Sequence, residues 1–262
     1  MKRALIMFLM FCMLCLIGIT LEAKAASNQS YNWYFKREEG KVTTEPEYEA
    51  LLKKYNGYYI GDRKKKVIYL TFDNGYENGY TQDILQVLKK EKVPAAFFIT
   101  GHYLREEPEL VKQMLKEGHI VGSHSYKHPD YPTWSDEAIK EDLERLEQEY
   151  TALTGEEKLK YLRAPRGVFS ERTLRVTSEA GYINVFWSLA YKDWETNVQR
   201  GPDYAYKKIM EQIHPGAVLL LHSVSKDNAE ALESVIKELK KEGYTFESLD
   251  HLTKKKKLPK KR

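Results

Sequence analysis

From Val67 onward the sequence alternates short runs of β-prone residues with longer amphipathic stretches. Strands that alternate with helices of this length are expected to lie parallel, because each helix returns the chain across the sheet. About six or seven such units favour one α/β domain, a single distorted or incomplete (β/α) barrel with parallel strands, and an open doubly wound sheet remains the alternative. The predicted strands are Val67–Phe72, Ala95–Ile99, His119–Ser123, Tyr161–Arg163, Tyr182–Trp187 and Ala217–Leu221.

Four of the intervening stretches have the apolar spacing of amphipathic helices, with apolar residues recurring at three and four positions. Ser135 is expected to cap one of these helices and Gly155 to end it. Gly201 and Pro202 are expected to open another. The apolar stripes run over residues 110–115, 139–153, 205–213 and 232–239.

The first 25 residues have the features of a secretory signal peptide. A basic start is followed by the apolar run Ala4–Ile19 and by Ala23-Lys24-Ala25, so we expect cleavage after Ala25 and secretion across the cytoplasmic membrane. The alternative is an uncleaved membrane anchor. Both cysteines, Cys12 and Cys15, lie in this segment, so the mature protein would have no disulfide, catalytic thiol or zinc–thiolate site.

The positive charge of the chain is concentrated at its C-terminus. The formal net charge is +4, but Lys254–Arg262 holds seven basic residues and no acidic one, which leaves the preceding body net negative. This distribution argues against a nucleic-acid partner, and no glycine-rich phosphate loop follows a predicted strand. The tail would either contact an anionic wall or lipid surface or be solvated. The predicted organisation is therefore signal peptide 1–25, N-terminal wrap 26–65, main domain 66–250 and basic tail 251–262.

Polar residues follow the ends of several predicted strands. The carboxyl ends of parallel strands meet on one face of the sheet, so these residues are expected to share a pocket. Each also has an ordinary structural interpretation, as a turn, a helix cap, a buried histidine or an ion pair. The residues are Asp73, Asn74, His124, His128, Arg163, Asp193, Trp194 and His222.

Five segments, in order along the chain, resemble the five motifs of the polysaccharide deacetylases (carbohydrate esterase family 4, NodB homology domain). The resemblance runs from about Val67 to Leu249. It implies a distorted (β/α) barrel and metal-assisted removal of N-acetyl groups from sugar polymers. The segments are Thr71-Phe72-Asp73-Asn74-Gly75, His124-Ser125-Tyr126-Lys127-His128-Pro129, Arg163-Ala164-Pro165-Arg166-Gly167, Asp193-Trp194 and Leu219-Leu220-Leu221-His222.

The resemblance implies a role for each of four residues in amide hydrolysis. Asp73 matches the general base that deprotonates water, and Arg163 matches the residue that orients this carboxylate and keeps it ionised. His222 matches the general acid that protonates the departing amine, and Asp193 the carboxylate that holds its imidazole.

The resemblance also implies a divalent metal, zinc or similar, with His124 and His128 as ligands. Asn74 stands where the family usually has a second aspartate. An amide oxygen can coordinate a cation but brings no negative charge, so we expect weak metal binding.

Within the family, Asn74 and the form of the Arg163–Gly167 segment resemble the branch that deacetylates N-acetylmuramic acid. The implied partner is therefore the glycan strand of peptidoglycan, and the implied product leads to muramic δ-lactam in the spore cortex, which germination needs. Arg166 replaces a common aromatic residue, and its guanidinium could bind the free lactyl carboxylate of muramic acid. The alternative for this side chain is an exposed ion pair.

Trp194, Tyr126 and Tyr76 are expected to line the substrate pocket. Two other functions remain open: deacetylation of acetylglucosamine or chitin-like chains, and non-catalytic glycan binding. A monomer is favoured. Contact with a membrane is expected only through the signal segment.

Overall fold

The computed structural model describes residues 26–38, 41–156 and 158–254, so the predicted signal peptide and most of the basic tail lie outside it. None of the helices in the described segments is long and apolar enough to span a membrane. The strands are β1 (Tyr31–Asn32), β2 (Lys36–Glu38), β3 (Lys41–Thr43), β4 (Val67–Asn74), β5 (Ala95–Ile99), β6 (Ile120–Ser123), β7 (Tyr161–Leu162), β8 (Val168–Phe169), β9 (Ile183–Asn184), β10 (Val218–His222) and β11 (Thr245–Phe246).

The main sheet of the described chain is parallel, with the order β10-β4-β5-β6-β7-β9 and with β11 beside the start of β4. Beyond β9 the chain reaches the free edge of β10, where Leu189 forms a parallel bridge to Leu219. In the opening between β9 and β10, Tyr58 forms a parallel bridge to Val185 and Ile60 forms an antiparallel bridge to Ala217. The sheet therefore forms an incomplete barrel, and the prediction of this fold class is confirmed.

Helices cover the outer side of the sheet, and their ends follow local sequence signals. Ser135 Oγ accepts a hydrogen bond from the Ala138 amide (3.2 Å), and Gly155 ends the helix with a φ of 75°, as predicted. The helices are α1 (Pro46–Lys54), α2 (Thr81–Glu91), α3 (Gly101–Glu106), α4 (Pro108–Lys116), α5 (Asp136–Thr154), α6 (Glu171–Glu179), α7 (Pro202–Met210), α8 (Lys226–Lys241) and α9 (Leu249–Thr253).

Some predicted boundaries are wrong. The predicted strand Tyr182–Trp187 is reduced to β9, because its ladder with β7 ends at Asn184. The Val185 amide makes the last bond to β7, at the Leu162 carbonyl (2.8 Å), and Val185 also bridges to Tyr58. The helix opened by Pro202 ends at Met210, so Ile213 lies beyond it. β7 ends one residue before Arg163, whose amide still bonds to the Ser123 carbonyl (2.9 Å).

Strand β4 is buried on both faces and carries two layers of side chains. Ile68, Leu70 and Phe72 belong to the core cluster beneath the helices, whereas Tyr69 belongs to the cluster inside the barrel. Because side chains alternate along a strand, Asp73 follows Tyr69 on the inner face. The inner layer of the barrel thus ends in a carboxylate.

Residues 26–65 pack against the segment that follows Arg163. β1 pairs antiparallel with β8, and the Trp33 amide donates to the Gly167 carbonyl (2.8 Å). The Trp33 indole donates to the Trp187 carbonyl (3.0 Å). An aromatic cluster fills this contact and fixes the Arg163–Gly167 segment from outside the barrel. Its members are Tyr31, Trp33, Tyr48, Tyr59, Phe169 and Phe186.

Candidate active site

A cavity of about 820 Å³ opens where the strands of the barrel end. It receives residues from each of the five sequence motifs. Arg163, Asp193 and Asn74 contact residues of this region without lining the cavity themselves. The lining residues are Asp73, Gly75, Tyr76, Thr100, His102, His124, Tyr126, Lys127, His128, Arg166, Gly167, Trp187, Trp194, Leu220, His222 and Val224.

Asp73 is held by a fully buried arginine. Arg163 Nη1 donates to Asp73 Oδ1 (2.8 Å), Nη2 donates to Thr71 Oγ1 (2.9 Å) and Nε donates to the Val185 carbonyl (3.0 Å). The planar guanidinium is therefore fixed at all three of its nitrogens. This fixes the position of Asp73 Oδ1 and leaves Oδ2 for another partner.

The carboxylate of Asp73 is ionised at neutral pH. Burial alone would raise the pKa of Asp73, but the positive charge of Arg163, with smaller contributions from His124 and His222, lowers the pKa overall. Asp73 Oδ2 lies 3.6 Å from His124 Nε2. The site thus presents a charged, orientated proton acceptor to the cavity.

His222 is paired with a second carboxylate. Its Nδ1 lies 2.7 Å from Asp193 Oδ1, and its backbone amide donates to Asp193 Oδ2 (2.8 Å). Burial lowers the pKa of His222, but the charge and hydrogen bond of Asp193 outweigh this effect, and the pKa is raised overall. The Trp194 ring lies edge-on to the imidazole, with 5.4 Å between centroids. His222 is therefore suited to donate a proton near neutral pH.

The proton acceptor and the proton donor are neighbours in the sheet. His222 stands opposite Asp73 in the parallel pairing of β10 with β4. A proton acceptor, Asp73, and a proton donor, His222, thus flank one part of the cavity. This is the arrangement that general acid–base catalysis requires.

His124 and His128 lie together on the loop that follows β6. His124 Nδ1 bonds to the Arg163 carbonyl (2.9 Å), so Nδ1 carries the hydrogen and Nε2 has a free lone pair. The two rings are 4.8 Å apart between centroids. Burial lowers the pKa of both histidines, that of His128 to about 4, so both are neutral at pH 7.

The loop that holds the histidine pair has an unusual backbone. Ser125 and His128 have φ values of 66° and 56°. The His128 amide donates to Ser125 Oγ (2.7 Å), which stabilises this conformation. Non-glycine residues in the left-handed region cost free energy and are found disproportionately at functional sites.

Asn74 is the third residue that the resemblance places at the metal position. Asn74 is fully buried, its Oδ1 accepts from Ser223 Oγ (3.1 Å) and its Nδ2 has no hydrogen-bond partner. Over the described residues, no group of three or more His, Cys, Asp or Glu side chains is placed to hold a metal ion. His124 and His128 alone are an incomplete ligand set by comparison with known zinc sites.

Of the residues predicted to bind substrate, Trp194 and Tyr76 are about half exposed at the cavity mouth, at 51% and 45%. Tyr126 also lines the cavity, but it is largely buried and its hydroxyl donates to Glu149 (2.8 Å). Tyr126 therefore offers the substrate its ring and not its hydroxyl.

Arg166 lies in the 3₁₀ turn Pro165–Gly167 with a φ of 57°. Its side chain is 56% exposed, and its Nη2 is 3.8 Å from Asp130 Oδ2, beyond hydrogen-bond distance. Asp130 Oδ1 is buried without a hydrogen-bond partner. The guanidinium at the cavity rim is thus only loosely paired.

Several residues of the site are not among those predicted. Thr71 could have been found, because it stands two residues before Asp73 on the same face of the strand. Three others have no local sequence pattern that identifies them: Trp187 and Ser223, which lie on loops, and Asn228, which lies at the start of a helix.

A parallel half-barrel with an arginine-held carboxylate and a carboxylate-held imidazole at its strand ends is suited to acid–base catalysis. Comparison with known proteins gives the family. The sequence model of the polysaccharide deacetylase family matches residues 60–185. The chain belongs to this family, carbohydrate esterase family 4, and is an enzyme of it.

Relatives match nearly the whole chain. The peptidoglycan N-acetylmuramic acid deacetylase PdaA of Bacillus subtilis is 47% identical over 251 residues, 92% of this chain and 94% of that protein. An uncharacterised 30.6 kDa protein of Geobacillus stearothermophilus is 55% identical over 87% of each chain.

Two solved structures have the same fold. The structure of B. subtilis PdaA superposes with a TM-score of 0.84 at 49% identity, covering 86% of this chain and 97% of that one. A family 4 carbohydrate esterase from Bacillus anthracis has a TM-score of 0.75 at 50% identity, covering 88% and 99%.

Proposed function

We propose that this enzyme hydrolyses the N-acetyl group of N-acetylmuramic acid in peptidoglycan glycan strands. The observation that carries the proposal is the placement of the Asp73–Arg163 pair beside the His222–Asp193 pair at one cavity. The choice of substrate is supported by similarity to PdaA of B. subtilis, which is named for deacetylation of this sugar. From the resemblance of the motifs to the muramic acid branch, we also propose that the product leads to muramic δ-lactam in the spore cortex and is needed for germination.

In the proposed reaction, Asp73 Oδ2 removes a proton from a water molecule held in the cavity. The oxygen of that water attacks the acetyl carbonyl carbon and forms a tetrahedral intermediate. His222, protonated through its pairing with Asp193, then donates a proton to the amide nitrogen, and the C–N bond breaks. The products are acetate and the free amine of the sugar. Groups placed in this way typically contribute about 10²–10⁴-fold to a rate.

Arg166 is proposed to select the muramic acid ring. This sugar carries a lactyl ether whose carboxylate is free when the stem peptide has been removed. The guanidinium lies half exposed on the cavity rim, with its nearest carboxylate 3.8 Å away. It can therefore turn to the substrate and bind the lactyl group through two parallel hydrogen bonds.

We propose that a divalent cation binds this protein only weakly, through His124 and His128. Both imidazoles are neutral at pH 7, and His124 Nε2 has a free lone pair. Asn74 adds no negative charge, and its amide oxygen accepts from Ser223.

We propose that the enzyme is secreted and works outside the cytoplasmic membrane as a monomer. The basis is the signal-peptide pattern of residues 1–25 and the location of the substrate. N-terminal sequencing of the secreted protein is expected to begin at Ala26. Retention of residues 1–25 would show an anchored protein instead, and sedimentation would report the oligomeric state.

The proposed function is tested on two preparations of peptidoglycan, one with stem peptides intact and one stripped of them. After treatment the glycan is digested, released acetate is measured, and the deacetylated sugar is identified by mass spectrometry. We expect loss of acetyl groups from muramic acid in the stripped sample, and none with Asp73→Asn. Loss from acetylglucosamine would identify the alternative substrate, and binding without acetate release would identify a glycan-binding protein.

A further inference from the structure

The carboxylate that holds His222 is itself held by a residue outside the five motifs. Asn228 is buried, with 1% of its surface exposed, and its Nδ2 donates to Asp193 Oδ2 (2.5 Å). The same nitrogen is 3.4 Å from the His222 carbonyl. The Asn228 Oδ1 accepts a hydrogen bond from the Tyr191 hydroxyl. Both ends of the Asn228 amide are therefore engaged.

The position of Asn228 is set by the start of helix α8. Ser225 caps this helix, and its Oγ accepts a hydrogen bond from the backbone amide of Asn228 (3.2 Å). Asp193 and Tyr191 lie on the segment between β9 and α7. Asn228 thus connects that segment to the helix and to the end of β10. Three separate parts of the chain meet at one buried side-chain amide.

We propose that Asn228, with Tyr191 behind it, is a positioning residue that fixes the Asp193 carboxylate in the orientation required by His222. Asp193 Oδ2 accepts two hydrogen bonds, one from the side-chain amide of Asn228 and one from the backbone amide of His222. A carboxylate held by both donors cannot rotate about its axis, so its Oδ1 remains directed at His222 Nδ1. The catalytic consequence of this alignment rests on the proposed role of His222 as the general acid.

The orientation of the Asp193 carboxylate determines how strongly His222 holds its proton. The charged groups that act on the imidazole are Asp193 and Asp73, which raise its pKa, and Arg163, which lowers it. Burial also lowers the pKa, so the contact with Asp193 is what keeps the net shift upward. A carboxylate free to rotate would lose part of that contact, and the pKa of His222 would fall.

The test measures the His222 pKa directly, by NMR titration of histidine-labelled protein without substrate. In Asn228→Ala we expect a lower pKa than in the wild type. With substrate, we expect kcat to fall about tenfold, the size of effect typical of a hydrogen bond to a charged group, with KM unchanged. Tyr191→Phe removes only the hydroxyl that supports Asn228, and is expected to give a smaller shift in the same direction.

Asn184→Ala is the matched control. Asn184 is an equally buried asparagine on β9, where its Nδ2 donates to Thr177 Oγ1 (2.8 Å). We expect this variant to lose stability without any change in the His222 pKa.

An unchanged His222 pKa in both Asn228→Ala and Tyr191→Phe would overturn the proposal, as would an equal shift in the control. If Asn228→Ala does not fold, Tyr191→Phe decides alone. The titration needs no substrate, so its result is independent of the proposed function. A lowered His222 pKa in the variants, together with no acetate release from peptidoglycan by the wild type, would support the positioning role and reject the proposed function.

Discussion

Arg163 and Asp73 form a buried ion pair at the end of the barrel, with Nη1 and Oδ1 2.8 Å apart and side chains 0% and 6% exposed. The guanidinium also lies over the Phe98 ring, 4.3 Å from its centroid. Both charges are largely withdrawn from solvent, so each depends on the other for its stability. The ion pair that supports this part of the core therefore also keeps the proposed catalytic base ionised.

Removal of the Arg163 guanidinium should cost both stability and activity. We expect Arg163→Ala to destabilise the protein by about 3–5 kcal/mol, because Asp73 would be left as a buried, unpaired charge. Activity should fall at least about 10²-fold, because the base would lose its orientation and its pKa would rise. Chemical denaturation and acetate release measure the two effects.

Arg175→Ala is the control for the loss of an arginine from an ion pair. Arg175 pairs with Asp136 and Glu179 at a partly exposed site. Its removal should cost no more than about 1 kcal/mol and leave activity intact. Equal losses of stability in the two variants would contradict the importance assigned to the buried pair.

The pH–rate profile should have an acidic limb set by the protonation of Asp73 and a basic limb set by the loss of the proton from His222. The pKa of Asp73 is lowered from 3.8, so the base is ionised above that pH. The pKa of His222 is raised from 6.5, so the acid is protonated at neutral pH and loses its proton only as the pH rises through a value above 6.5. We expect kcat/KM to be flat between the two values.

Asp193→Asn should move the basic limb to lower pH, because the carboxylate that stabilises the imidazolium is removed. The profile is measured with a soluble oligosaccharide substrate across pH 3–10 for both proteins. A basic limb below 6.5 in the wild type, or one that Asp193→Asn does not move, would argue against His222 as the acid.

The sequence predicted the parts of the fold that depend on local pattern. The long runs at β4, β5 and β10 and the capped helix α5 were recognisable because apolar spacing and caps are encoded locally. The strands β7 and β9 are two residues each, too short for a pattern to define their ends. Their limits depend on which distant segment pairs with them, such as the bridge from Tyr58 to Val185.

The same distinction applies to the site. Asp73 and His222 could be located because both end long, recognisable strands. The side chain of Asn74 could not, because its hydrogen bond to Ser223 depends on how the ends of β4 and β10 meet. Asn228 was hidden for a similar reason: the start of a helix brings it to Asp193 across 35 residues of sequence.

Arg166→Gln tests the basis of substrate choice. We expect a loss of about tenfold or more in kcat/KM on peptide-free muramic acid, because the neutral side chain cannot pair with the lactyl carboxylate. Any activity on acetylglucosamine polymers, which lack this carboxylate, should be unchanged. Both rates come from acetate release on the two polymers. Equal losses on both would show that Arg166 acts on the cavity in general.

Zinc binding should be weak in the wild-type protein and should depend on the histidine pair. Calorimetric titration of metal-free protein is expected to show a low affinity that His128→Ala abolishes. Asn74→Asp should tighten binding, because it supplies the negative charge that the amide lacks. Tight binding by the wild type would contradict the predicted low affinity, and binding unaffected by His128→Ala would show that ligands other than this pair hold the cation.

Gly167 tests whether close packing against Trp187 and Trp33 shapes the turn that carries Arg166. Its φ is 68°, and a Cβ built on it would lie 2.7 Å from Trp187 Cη2 and 3.1 Å from Trp33 Cβ. Gly155→Ala is the control, because that residue has a φ of 75° but no atom within 4 Å of the added Cβ. We expect the control to cost about 1–2 kcal/mol from backbone strain alone, with activity retained.

Gly167→Ala should cost about 1–3 kcal/mol more than the control, because overpacking adds to the same backbone strain. It should also lower activity, since relief of the clash moves either Trp187, which lines the cavity, or the turn itself. Thermal unfolding and acetate release separate the two effects. If both variants lost the same stability and kept full activity, the packing of Trp187 and Trp33 against the turn would have no part in shaping the cavity.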